Sequence, residues 1–255
     1  MPANTTHPCV EIVVDSVAGA LAAQRGGAHR LEVCMGLAEG GLTPSLGLLR
    51  AIKAAVDLPV MAMVRPRGGD FLYDASEFSI MRADAESLLA AGADGLVFGV
   101  LDATGRVDFA RMKELVHAAA GKPVTCHRAF DVTADAAQAL EDLIALGVKR
   151  VLTSGQQSSA LLGAALIQTL VTLARGRIGV LAGGGLRANN VAGFLARTGV
   201  SEIHLSASGS RQSAMRFRNP NVPMGCDVPD DEYTLRMTDA AEVTAILAAV
   251  RRAVP

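Results

Sequence analysis

Glu11, Glu32, Arg65, His127 and His204 each occupy a position in a short β-rich run where side-chain alternation sets them on one face with other candidate residues. Glu11 shares its face with Val13, Glu32 with Cys34, Arg65 with Met61 and Met63, His127 with Thr125, and His204 with Ser206. If these faces point into one interior, two carboxylates, a guanidinium and two imidazoles converge there. Charges in such a place must be paired, because an unpaired buried ion costs several kcal/mol. Two arrangements meet that demand. Glu11, Glu32 and Arg65 can form a structural ion-pair network that plugs the interior. Alternatively, Glu11, Glu32 and His127 serve as acid–base groups of tuned pKa, with Arg65 as an anion clamp.

A second set of residues suits anion binding. Gly183, Gly184 and Gly185 follow an apolar run and precede a helical pattern, and Ser206 lies in Ser206-Ala-Ser208-Gly209. Glycine loops and helix starts present backbone N–H groups to phosphate, although glycine runs also serve as plain turns. Ser154, in Thr153-Ser-Gly-Gln156, adds a hydroxyl, and Arg67 joins Arg65 around Pro66. A third chemistry is soft-metal binding. Cys34 with inward Met61 or Met63 offers thiolate and thioether donors, which suit Cu(I), while such methionines also fill ordinary cores.

The elements that must position these groups show themselves as a repeat. Four times a helical stretch ends at Gly and an apolar run follows, at Gly27, Gly92, Gly147 and Gly199. Glycine there permits the left-handed backbone that closes a helix. Eight strands are expected, over 10–14, 29–34, 59–65, 95–100, 123–129, 150–154, 177–182 and 202–207. Pro59 and Pro123 open two of them, where proline removes no ladder hydrogen bond. Helices fall between; one is expected over 133–146 with Thr133 as its cap, and a last one over about 239–252. Alternating strands and helices imply right-handed crossovers and a parallel sheet. Eight such units close into a TIM barrel, a (β/α)8 fold that fills the 255 residues as one domain. An open doubly wound sheet is the alternative, but no Gly-x-Gly-x-x-Gly turn follows the first strand. The stretch 209–237 is expected to form a long irregular loop, as a lid or a subunit contact.

Lys+Arg 24 against Asp+Glu 25 leaves no basic excess for nucleic acid, and no apolar run reaches the ~20 residues that span a bilayer. No secretory signal is visible at the N-terminus. The scattered Cys9, Cys34, Cys126 and Cys226 lack zinc-site spacing and read as reduced cytosolic thiols.

Several stretches are specific enough to carry a family resemblance. They are Arg30-Leu-Glu-Val-Cys34, Glu39-Gly-Gly-Leu-Thr-Pro-Ser45, Arg65-Pro-Arg-Gly-Gly-Asp-Phe71, Cys126-His-Arg-Ala-Phe-Asp131, Arg150-Val-Leu-Thr-Ser-Gly-Gln156 and Met215-Arg-Phe-Arg-Asn219. Together they resemble the CutC family of copper homeostasis proteins. The resemblance implies a TIM barrel, a cytoplasmic location, homo-oligomers and Cu(I) binding through cysteines. Family members often carry a Cys near the end of strand one; this chain has Val13-Val14, and Cys34 matches the family's strand-two Cys. Two functions are therefore expected: a copper homeostasis protein holding Cu(I) at Cys34, or a barrel enzyme acting on a small anionic or phosphorylated substrate.

Overall fold

The computed structural model describes residues 7–219, 221–222 and 232–253. Eight strands form a closed parallel barrel: β1 (Cys9–Val14), β2 (Arg30–Val33), β3 (Val60–Met63), β4 (Gly95–Phe98), β5 (Val124–Cys126), β6 (Arg150–Thr153), β7 (Gly179–Gly183) and β8 (Glu202–Leu205). Strand β8 closes on β1 with Glu11 paired to His204, which sets two predicted site residues side by side. Seven helices alternate with the strands: α1 (Val17–Gly26), α2 (Leu46–Ala55), α3 (Ala75–Ala90), α4 (Phe109–Ala118), α5 (Ala136–Ala145), α6 (Ala164–Ala174) and α7 (Val191–Thr198). An eighth, α8 (Ala240–Ala253), closes the ring against α1 and α7. The (β/α)8 barrel is the architecture the alternation implied.

Local chemistry fixes the joints. Ser16, Ser45 and Asp108 cap helices by accepting from backbone N–H groups, and Asp74 and Glu77 form a reciprocal capping box. Gly27, Gly92, Gly147 and Gly199 all take positive φ, as their positions after helices require. Outward strand residues such as Ile12, Leu31, Leu96 and Ile203 form one apolar layer with the helices. The inward layer differs sharply. Part of it is apolar: Val13, Cys34, Met61, Met63 and Val97 cluster there, and Leu152 and Leu181 keep the same inward phase. Charged side chains share that space, where barrels usually carry bulky branched ones.

Several boundaries depart from expectation. Strand β5 stops at Cys126 rather than 129, because His127 turns the chain into a short 3-10 helix, Arg128–Val132. Thr133 therefore closes that turn, its hydroxyl donating to the Phe130 carbonyl, and Asp135 caps α5 instead. The expected irregular stretch 209–237 contains order: β9 (Ser208–Gln212) pairs antiparallel with β10 (Thr234–Thr238). Met224 and Cys226, which fall in this stretch, lie outside the described residues.

Candidate functional site

Alternation carries Arg30, Glu32 and Cys34 inward from β2, Glu11 and Val13 from β1, and Glu202 and His204 from β8. At the base of this group, Arg30 donates through Nε to Glu11 Oε2 and through Nη2 to Glu202 Oε2 at 2.6 Å. Arg150, inward on β6, reaches the same Glu202 oxygen at 3.1 Å. Two guanidinium cations thus meet two carboxylates, and the base is neutral. Glu32 is the fifth charge, with no guanidinium left for it.

Its nearest basic group is His204. The imidazole Nδ1 donates to Glu11 Oε1 at 2.8 Å, which leaves Nε2 facing Glu32 Oε1 at 4.0 Å. That gap is too long for a hydrogen bond and wide enough for an intervening polar atom. Glu32 is buried at 3% exposure, and its Oε2 has no partner among the described residues. Burial pushes the Glu32 carboxyl up to about 7, Glu11's charge adding to the effect and His204 opposing it. Burial acts the same way on Glu11, but hydrogen bonds and charge from His204 and Arg30 overcome it and hold Glu11 at about 2. Burial alone would lower His204; Glu32 and Glu11 reverse that and raise it. Two neighbouring carboxylates with pKa values driven apart are a recurring acid–base arrangement.

Above this group the barrel opens into two adjoining cavities, of about 390 and 350 Å³, which share Val13, Arg128, Leu152 and His204. The first takes in Gly183, Gly184, Gly185 and Ser206, so those four predicted anion ligands are brought together. The second takes in Glu32, Cys34, Arg65 and His127. Of the predicted residues, Glu11 lies beneath the cavities rather than on their walls, fully buried and engaged on both oxygens.

Arg65, Arg67, Ser154 and His127 differ in what holds them. Arg65 is buried, and its Nη atoms donate to the Glu39, Gly41 and Gly69 carbonyls while its plane covers Phe71 at 5.0 Å. It braces two loops. Arg67 faces outward and pairs with Glu77 and Asp70. Ser154 is buried, accepting from Arg128 Nη2 at 2.8 Å and hydrogen-bonding Asp131. His127 packs against Phe71 with ring centroids 4.8 Å apart and planes tilted by 53°, and its Nδ1 accepts from the Ala129 N–H. Burial, with Arg65 nearby, pulls His127 down to about 3, so it is neutral at physiological pH and offers as a donor its buried Nε2, which has no partner among the described residues. A side chain at Gly99 would collide with this ring, a Cβ there standing 2.9 Å from His127 Nδ1.

Metal chemistry has two possible seats. Glu11, Glu32 and His204 offer ligand atoms within 4.8 Å of one another. Glu11 already serves Arg30 and His204, leaving only two donors, too few for a hard-cation cage. The soft seat is Cys34. A Cβ on Gly41 would stand 3.3 Å from Cys34 Sγ and 3.2 Å from Met63 Cε, so thiol and thioether share one wall of the second cavity. Burial, reinforced by the charge of Glu32, raises the Cys34 thiol, which keeps it protonated in the metal-free protein.

Four residues of the site were not among the expected ones: Arg30, Arg150, Glu202 and Arg128. The first three share the inward phase with Glu32, Ser154 and His204 and were findable from spacing. Arg128 lies past the strand end, where the period of two no longer applies.

Comparisons with known proteins agree with this architecture. Residues 9–209 match the CutC family. Copper homeostasis protein cutC homologs of Mus musculus and Homo sapiens are each 48% identical over 237 residues, covering 93% of this chain and 87% of the relative. A CutC crystal structure from Streptococcus agalactiae superposes with a TM-score of 0.75 at 30% identity, covering 78% of this chain and 98% of that one. The chain belongs to the CutC family.

Proposed function

We propose that the barrel mouth binds a small anionic carbonyl compound and moves a proton on it, with Glu32 as the proton carrier. The observation that supports this best is Glu32 itself: buried, paired with no guanidinium and with one oxygen unpartnered among the described residues, and 4.0 Å from a histidine. His204, fixed by Glu11, completes the proton path, and neutral His127 supplies a donor toward the carbonyl oxygen as charge develops there. Covalent amine chemistry does not fit. None of the chain's four lysines, Lys53, Lys113, Lys122 and Lys149, lines either cavity. The test is deuterium exchange: small 2-oxo acids and phosphorylated carbonyl compounds are incubated in D2O with the protein. Exchange at the carbon beside the carbonyl is expected, reduced roughly 10²–10⁴-fold in Glu32→Gln. Exchange that survives the substitution would remove Glu32 from the role.

A second reading follows the names of the relatives: copper handling in the cytoplasm, as a homo-oligomer, with Cu(I) on Cys34. The shared wall of Cys34 and Met63 supports it, since soft sulfur donors suit Cu(I). Val13, packed in the same small apolar cluster as Cys34, stands near where relatives often carry a second thiol. Cys34→Ser is expected to abolish Cu(I) binding measured anaerobically by competition with a chelator. Val13→Cys should tighten it, because a second thiolate replaces a methyl pair. Glu32→Gln should leave it intact. Equal affinity in wild type and Cys34→Ser would end this reading.

A further inference from the structure

Arg128 is the cation that both cavities share. Its Nε donates to Asp131 Oδ2 at 2.7 Å and its Nη2 to Ser154 Oγ, while Nη1 donates to nothing among the described residues. Asp131 is itself pinned, accepting from Thr153 Oγ1, from Ser154 N and Oγ, and from Gln156 N. The guanidinium is therefore held at a fixed angle on the divide, with one edge toward the open space.

On one side of that divide lies an arc of donors. Gly184 and Gly185 take φ of +101° and +78°, and their N–H groups have no acceptor among the described residues. Gly184 packs against Ser154, the partner of Arg128, so the loop and the guanidinium are neighbours. Ser206 and Ser208 place their hydroxyls 3.4 Å apart across Ala207, a non-glycine residue at φ +43°. Such strain persists where the surrounding fold imposes it, commonly at ligand sites. Exposed Arg187 and half-buried Glu242 face the same space with opposite charges. On the other side Val13, Leu152, Met63, Phe71, Leu37 and Val132 supply apolar wall, with Glu39 and Asp131 among them. Val132 is 60% exposed and Leu37 41%, an apolar lip above a charged floor.

We propose that the ligand is a phosphate monoester with an apolar or aromatic body, its tetrahedral head held by the Gly184–Gly185 amides, the Ser206 and Ser208 hydroxyls and Arg128, and its body lying along Phe71, Leu37 and Val132. Arg128 is the residue that specifies it, reaching the head from the divide and setting the distance between head and body. Arg65 spends both Nη atoms on loop carbonyls, which leaves the head to Arg128. The inference deepens the proton-transfer reading, since such a ligand carries its reactive segment past Glu32 and His204.

The test uses calorimetric titration of the full chain with inorganic phosphate, phenyl phosphate, benzoate and benzyl alcohol. Phenyl phosphate is expected to bind at least about tenfold more tightly than inorganic phosphate, through burial of its ring. Benzoate should bind more weakly than phenyl phosphate, and benzyl alcohol not at all. Arg128→Gln should lose about tenfold or more on both phosphate probes, Arg128→Lys less, and Val132→Ser only the advantage of phenyl phosphate. Amide NMR shifts of Gly184 and Gly185 on adding phosphate read the same site in the unmutated chain, whatever Arg128→Gln does to folding. Phenyl phosphate no better than phosphate, benzoate the tighter ligand, or no movement of those amides would each overturn the proposal. Glu32→Gln, run in parallel, separates the two ideas. Arg128-dependent phosphate binding without Glu32-dependent exchange would leave the ligand assignment standing and the proton-transfer reading overturned, and the reverse pattern the opposite.

Discussion

Replacing Arg30 by Met is expected to lower the unfolding free energy by about 3–5 kcal/mol, since it leaves buried carboxylates without their cation. Arg30 joins Glu11 and Glu202, each in the barrel interior, and its removal strands Glu11 with only His204. For a chain of this size the melting temperature should fall by roughly 6–20 °C. Adding Glu11→Gln to the same chain should restore part of the loss, because the two residues act as one unit and their effects do not add. A melt within a degree or two of wild type for Arg30→Met would show that the base of the barrel tolerates an open charge, and the neutral pairing argued above would be wrong.

The second large effect has the opposite sign. Glu32→Gln should stabilise the protein at pH 8, by about 3 kcal/mol. The direction follows from proton counting. In the unfolded chain Glu32 ionises near 4.5, whereas in the fold burial pushes it up to about 7. Between those values the folded state holds a proton that the unfolded state has released. Stability therefore falls as pH rises through that window, by at most ~1.4 kcal/mol per pH unit, and then levels off. Glu11 works the other way: held at about 2, it adds stability above its unfolded value of 4.5 that is lost on acidification toward 2. For this pair of carboxylates the sum peaks near the shared unfolded value. Chemical denaturation across pH 4–9 should show a steep descending limb in wild type and a clearly shallower one in Glu32→Gln, where His204, still raised by Glu11, is left to titrate. A matching descent in both proteins would refute the assignment. A buried acid that costs stability at physiological pH is what a site kept for function looks like.

Much of this was legible in the chain before any coordinates. The period of two along apolar runs placed Glu11, Glu32 and His204 on a common face, and the barrel register puts Glu11 beside His204. Glycines after helices marked the repeat that makes eight units. What the residues did not disclose has physical reasons. Arg30, Arg150 and Glu202 keep the inward phase, but they open their strands, a place where charge is normally solvated, so spacing gives their direction and not their pairing. Arg65 keeps the inward phase, but the loop that follows wraps its guanidinium in carbonyls, a contact between segments that spacing along one strand cannot reveal. Arg128 sits in a 3-10 turn, where neither helical nor strand periodicity assigns a direction. Ser154 and Asp131 hold it only because two consecutive strand ends meet at the barrel rim.

The measurement closest to the centre of the account is a pH titration of the side-chain carboxyl carbon of Glu32 by ¹³C NMR, assigned by its disappearance in Glu32→Gln. The account predicts a midpoint close to 7, with Glu11 still ionised well below pH 4. A Glu32 midpoint at the ordinary value near 4.5 would mean that the carboxylate has found a cation after all, and the proton this mouth is argued to carry would not be there.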